Sequence, residues 1–353
     1  MNTAKYLRYE CRRNLLPLLL FTAIACLVVG IIFSTSTLYY NWPYIVPDGN
    51  GSPQMHRPSD SLLAAPAVIL VVLCVIVSVM QFSFRMKARS ADLWYSLPVR
   101  REKLLFVRTL TGLALVFIPY TLSYWLGFCI LLGRENYFFM QGYPLYFLAS
   151  LPLGALLFGF CSFIFTRANS VGDGIVFMIS WTFVLFLPHL YVNFLGVSLR
   201  PLNITSFLPF GPLIFVTETF SELICRTDTL PSLLPLACLI PFAVAEGVGG
   251  YAGLFLTARR QRAENAEQLS SSLWGYKTLI PWFVFFFSSC IIPDDGQLPL
   301  ILWALVLIGG LVGYIVYRRS FRLKLADILS LVLTFAASVL LSYLNTYFII
   351  PAL

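Results

Sequence analysis

Residues 62–82 read LLAAPAVILVVLCVIVSVMQF. The stretch carries no charge, and it matches the ~20 apolar residues that an α-helix needs to cross a bilayer core. Working outward, eight similar segments appear: Leu15–Phe33, Leu110–Leu132, Leu145–Phe165, Gly174–Leu195, Leu233–Thr257, Leu273–Ile292, Leu298–Tyr317 and Ile328–Ile349. The weakest is Leu273–Ile292, interrupted by Lys277 and Pro281. Composition agrees. Of 353 residues, 59% are hydrophobic and 11% charged, with a mean hydropathy of +0.82. Soluble domains run at about 45–50% apolar and about 25% charged. A soluble globule of this size does not hide so much apolar surface, and disorder needs the opposite balance. The sequence predicts an all-α polytopic membrane protein with about nine transmembrane helices.

Lys and Arg concentrate on the cytoplasmic side of membrane proteins. With the N-terminus inside and the spans alternating, 20 of the 24 basic residues fall on inner segments. The outer ones are Arg57, Arg134, Arg200 and Arg226. The same alternation puts the C-terminus outside, with the Asp294-Asp295-Gly296 turn joining spans seven and eight there. The net charge of +8 is thus read as placement across a bilayer, and no nucleic-acid partner is expected. The basic start followed by an apolar run through Phe33 fits a signal-anchor rather than a cleaved leader. The eight cysteines form no CxxC pair, so no disulfide framework or metal cluster is implied.

Four segments outside the spans carry pattern. Residues 1–14 are basic, with Tyr6, Leu7 and Cys11 spaced for one greasy face, which predicts a short interfacial helix. An outer loop at 34–61 holds four prolines and two turn signals, Asp48-Gly49 and Asn50-Gly51. A second outer loop covers 197–232. Inside it Phe207–Val216 is apolar, too short to span, and broken by Pro209, Gly211 and Pro212; it either dips into the membrane or caps the bundle. Finally, the tail of span six is rich in Arg.

Catalytic patterns are missing. No GxxxxGK[ST] phosphate loop occurs, and no HExxH. His56 and His189 are too far apart for a helix-borne metal pair. Two intramembrane polar residues remain as pathway candidates. Glu246, in span six, is costly to bury in a bilayer and is a functional candidate for that reason; pairing with a neighbouring helix explains it equally well. The glycines Gly247, Gly249, Gly250 and Gly253 beside it permit close helix approach. His189 sits at the outer end of span five, where an interfacial role is the simpler reading.

The inner loop at 83–108 is the richest stretch. Its centre reads Asp92-Leu93-Trp94-Tyr95-Ser96-Leu97-Pro98-Val99-Arg100-Arg101. Aromatics and arginines together make binding anchors, although lipid headgroups would hold the same residues. Pro98 suits the first turn of a following helix. This decapeptide, placed after span two, resembles the cytoplasmic coupling segment of bacterial ABC-2-type transporter permeases. The tail Arg259-Arg260-Gln261-Arg262-Ala263-Glu264 resembles the basic stretch that closes their six-span core. Arg100 stands where a small polar residue is commoner, and three extra spans follow the core.

The resemblance covers about residues 1–270. It implies an interfacial helix at 1–14, a permease core at 15–257, and an inner linker with three added spans at 258–353. It also implies an ABC transporter permease that moves an unidentified substrate, by export, across a bacterial cell membrane. This chain would be no enzyme and hold no cofactor itself. ATP and Mg would be bound by a separate ATPase subunit docked on Asp92–Arg101, and a second permease copy would complete the channel. The same helical pattern is open to two other classes. A secondary carrier or channel should show repeats or several buried ions; the third class is a non-transporting scaffold or sensor subunit.

Overall fold

The computed structural model describes residues 3–35, 37–41, 54–58, 62–87, 90, 100–133, 140–184, 186–194, 208–226, 234–258, 266–270, 272–293 and 297–349. Twelve α-helices are defined among them: α1 (Thr3–Arg13), α2 (Leu15–Thr35), α3 (Ala64–Phe82), α4 (Arg101–Gly133), α5 (Gly142–Phe165), α6 (Val171–Val184), α7 (Phe186–Phe194), α8 (Gly211–Arg226), α9 (Leu234–Ala258), α10 (Tyr276–Ser289), α11 (Leu298–Arg318) and α12 (Leu325–Leu344). A 3₁₀ turn at Ser83–Arg85 extends α3, and a π-turn at Asn345–Ile349 extends α12.

Eight helices or helix pairs are long and apolar enough to cross a membrane. The chain is a multi-pass α-helical membrane protein. Each of these eight coincides with a predicted span. The segment expected at Leu273–Ile292 differs: its helix, α10, has 14 residues, about 21 Å at 1.5 Å per residue. A second difference lies in the loop at 34–61. Strands β1 (Thr37–Asn41) and β2 (Gln54–Pro58) pair there antiparallel, with Tyr39 opposite His56. The turn signals at 48–51 fall between the two strands.

Helix contacts divide the chain into two compact units. The first comprises Met1–Gln81, Ser96–Ser162 and Pro209–Arg260. Its helices meet through small residues. A Cβ on Gly127 of α4 would lie 2.7 Å from the Phe33 ring of α2, and one on Gly154 of α5 would lie 2.9 Å from Leu70 of α3. Polar side chains also pair across these crossings: the Cys74 thiol donates to the Gly154 carbonyl at 3.4 Å, and the hydroxyls of Ser78 and Ser162 lie 3.1 Å apart. Such pairing is the requirement of a hydrocarbon surround, in which an unmet polar group is expensive.

The second unit comprises Phe82–Tyr95, Phe163–Leu208 and Gln261–Leu353. Here α10 and α11 run antiparallel. The rings of Tyr276 and Tyr317 meet tilted, 5.1 Å between centroids, a Cβ on Gly310 would meet Val284 at 2.9 Å, and the Trp303 indole donates to the Ser288 carbonyl at 3.2 Å. The chain beyond α10 loses its helix, but the Ser342 hydroxyl donates to the Ile291 carbonyl. Arg318 and Asp327 form a two-pronged ion pair at 2.8 and 2.9 Å across the α11–α12 turn. That bidentate geometry is the strong form of the interaction. The segment at 266–270 folds onto the α5–α6 turn, where the Glu267 amide donates to the Asn169 carbonyl and the Ser270 hydroxyl to the Arg167 carbonyl. Burial, with Arg85 nearby, lowers the Arg167 guanidinium to about 10.

Candidate functional site

Residues 91–99 lie outside the described residues, and with them Asp92, Leu93, Trp94, Tyr95, Ser96, Leu97 and Pro98 of the candidate coupling segment. Arg100 and Arg101 are described. Both are exposed at the start of α4, and the Arg100 carbonyl accepts from the Leu104 amide to open that helix. At 33 residues α4 is about 50 Å long. It exceeds the ~30 Å hydrocarbon core, so its first turns can stand at headgroup depth.

On that end of α4 a buried polar lock joins three elements of the first unit. Arg108 of α4 has 1% of its surface exposed, while Tyr6 and Glu10 of α1 have none. Nε of Arg108 donates to the Tyr6 hydroxyl at 3.2 Å. Its Nη1 donates to the Gln81 carbonyl at the end of α3, at 2.9 Å, and its Nη2 faces the Glu10 carboxylate at 3.2 Å. Tyr6 in turn donates to Glu10 at 2.8 Å, and Arg13 closes on the other carboxylate oxygen at 2.7 Å. Burial pushes the Tyr6 phenol up to about 12. The buried residues of α1 are therefore Tyr6 and Glu10, with Asn14 just beyond its end on the same spacing of four, and Cys11 is exposed. This corrects the expected greasy face of Tyr6, Leu7 and Cys11. The sequence did hold a signal for the lock: Glu10 is the lone acid among the basic residues of α1, and Arg108 a lone charge entering an apolar run.

Deeper in the same unit, α9 crosses α5 at backbone contact. A Cβ on Gly250 would sit 2.8 Å from the Gly159 backbone, and one on Gly247 would sit 2.6 Å from the Leu156 Cα. Tyr251 donates to the Ala155 carbonyl at 2.7 Å across the crossing. The expected close approach is thus made by Gly247 and Gly250, whereas Gly249 faces open space. Beside the crossing Glu246 lines a cavity of about 10 Å³ with Leu156, Phe160 and the start of α8 at Pro209–Leu213. Such a volume holds about one water. The Glu246 carboxyl makes no hydrogen bond or ion pair with the described residues.

The start of α8 lies beside Leu153–Phe160, in the second half of α5. Further along α8, Thr217 and Phe220 lie beside Tyr146, near the start of α5. α8 thus packs lengthwise along α5. A tyrosine block holds α8 there. Tyr146 pairs with Thr217 at 3.0 Å, Tyr120 with Ser150 at 2.6 Å, and Tyr124 and Tyr143 each donate to the other's carbonyl at 2.6 and 3.0 Å. His189 is buried in α7, in the second unit. Among the described residues no three His, Cys, Asp or Glu side chains group as metal ligands would.

No family model, curated protein or solved structure matches the chain.

Proposed function

We propose that the chain is the permease subunit of an ABC-2-type transporter. It would work with a separate ATPase subunit that binds ATP and Mg, and with a second permease copy, to export a substrate across a bacterial cell membrane. The observation that carries this reading is the setting of the Asp92–Arg101 motif. It occupies the loop between the second and third spanning helices, and the helix it feeds, α4, is bolted to α1 and α3 by Arg108. A push delivered to that loop would reach three helices together, because a buried ion pair with satisfied partners resists being pulled apart. The packing of α8 along α5 suits a gate on the opposite face.

This reading takes nine crossings, with the N-terminus inside and the C-terminus outside. The short α10 completes the seventh with its irregular tail at 290–293, where the Ser342 hydroxyl of α12 donates to the Ile291 carbonyl. Non-helical backbone is tolerated at membrane depth only where protein covers it. One observation favours an ion-coupled carrier instead: Glu246, beside its cavity, has no hydrogen-bond or ion-pair partner among the described residues.

Co-purification tests the permease reading. Replacing Trp94 and Tyr95 by Ala with Asp92→Arg removes the candidate anchors. Each anchor that fills a partner's pocket is worth on the order of 2 kcal/mol, over tenfold in affinity. The ATPase subunit should be lost while permease yield in the membrane stays normal. Retention of a working ATPase by the triple variant would refute the coupling role.

A further inference from the structure

The second unit contains an apolar groove of about 310 Å³ between α10 and α11, touched by Ser180 of α6. Tyr276, Phe283 and Phe287 of α10 and Val306, Gly309 and Gly313 of α11 line it. Gly309 contributes no side chain, and nothing lies within 4 Å of where its Cβ would be. The groove is therefore a real gap between helices that touch on either side of it, at Tyr276–Tyr317 and at Gly310–Val284.

One end of the groove is charged. Tyr276, which lines it, donates to the Asp173 carboxylate at 3.0 Å, and Arg319 faces the same carboxylate at 3.6 Å. Arg319 is 55% exposed. Lys277, next to Tyr276, and Arg322 and Lys324, just beyond Arg319 in the chain, are exposed. The two acids here are already engaged, Asp173 by Tyr276 and Arg319 and Asp327 by Arg318. The end of the groove is thus basic, at the point where α11 stops and the interface begins. Basic pockets between spanning helices are where anionic lipid headgroups settle.

We propose that this groove holds one acyl chain of an anionic phospholipid, with its phosphate against Lys277, Arg319 and Arg322. The shape selects a chain over a helix, since an α-helix is about 10–12 Å across and too wide for this volume. The charge selects an anionic headgroup over a zwitterionic one. The inference needs only that the chain spans a membrane, and it stands apart from the transporter reading.

The test is native mass spectrometry of the full chain, purified from vesicles of equal phosphatidylglycerol and phosphatidylcholine and then partly delipidated. The wild type should keep one phosphatidylglycerol in preference to phosphatidylcholine, by about tenfold. Gly309→Leu fills the groove from a position with free space and should lose that bound lipid at unchanged Tm. Gly313→Ala, whose Cβ would stand 3.4 Å from Ile280, narrows the groove more gently and should weaken retention severalfold if the larger variant is unstable. Lys277→Gln, Arg319→Gly and Arg322→Gln together should keep a lipid but lose the headgroup preference. Glycine suits position 319, where φ is 51°. Undiminished phosphatidylglycerol retention by both glycine variants overturns the proposal. So does a change of oligomeric state in Gly309→Leu, which would make the groove a protein interface.

Discussion

Two glycine-lined helix crossings in this protein have opposite outcomes. At α5–α9 the glycines Gly247 and Gly250 press on the Leu156 and Gly159 backbone and leave only a one-water cavity at Glu246. At α10–α11 Gly310 is filled by Leu331 and Val284, while Gly309, one residue earlier, opens onto the 310 Å³ groove. The difference follows from what each missing side chain faces. A glycine opposite backbone draws two helices together, whereas a glycine that no neighbour covers leaves a cleft. The first unit closes its crossings with small residues, reciprocal tyrosine hydroxyls and a buried ion pair, and the second leaves room.

The contrast breaks most visibly at the polar lock. Glu10→Gln keeps the shape and the Tyr6 partner but strips the counter-charge from an Arg108 that is almost wholly buried. Orphaning a buried charge costs about 3 kcal/mol or more, so Tm of the detergent-purified protein should fall by several degrees. Adding Arg108→Met should recover much of the loss, because an apolar replacement of the whole pair is often neutral. A single variant as stable as the wild type would mean that the lock contributes nothing.

A smaller effect is expected at the α5–α9 crossing itself. Gly250→Val forces a side chain into the Gly159 backbone, an overpacking of about 1–3 kcal/mol. Its neighbour supplies the control. Gly249→Ala meets open space and should match or slightly raise the wild-type Tm, as alanine favours helix by up to ~1 kcal/mol. Equal behaviour of the two variants would dissolve the distinction between closed and open glycines.

The smallest effect is expected at Glu246. Glu246→Gln is nearly isosteric and disturbs no protein partner among the described residues, so Tm should move by no more than a degree or two. On the permease reading proposed above, ATPase activity of the complex with its ATPase subunit should also stay close to wild type. Loss of that activity with intact assembly would place the carboxyl in the conformational cycle of the permease.

The apolar helices were legible because each is a long uncharged run, and residues 62–82 alone set the class. Contacts distant in sequence were not. Tyr6 and Arg108 are 102 residues apart, and periodicity put Cys11 on the buried face of α1 where Glu10 belongs. The prolines and glycine at 209–212 announced a broken apolar helix, but only packing against Leu153–Phe160 gave it a direction. The outer turn signals were readable and the strands around them were not, since Thr37–Asn41 and Gln54–Pro58 are too short and mixed to show a pattern. Of the candidate site, Glu246 and its glycines were visible as rarities in a span. The groove was invisible, because a glycine in a sequence does not say whether anything covers it.

The frayed end of α10 bears on how the protein is made. The Ile291 carbonyl accepts from the Ser342 hydroxyl, a residue that leaves the ribosome later than the backbone it serves. On the nine-crossing reading, the end of α10 gains this partner only once α12 has been made, and a ribosome stalled before Ser342 would leave the Ile291 carbonyl without it.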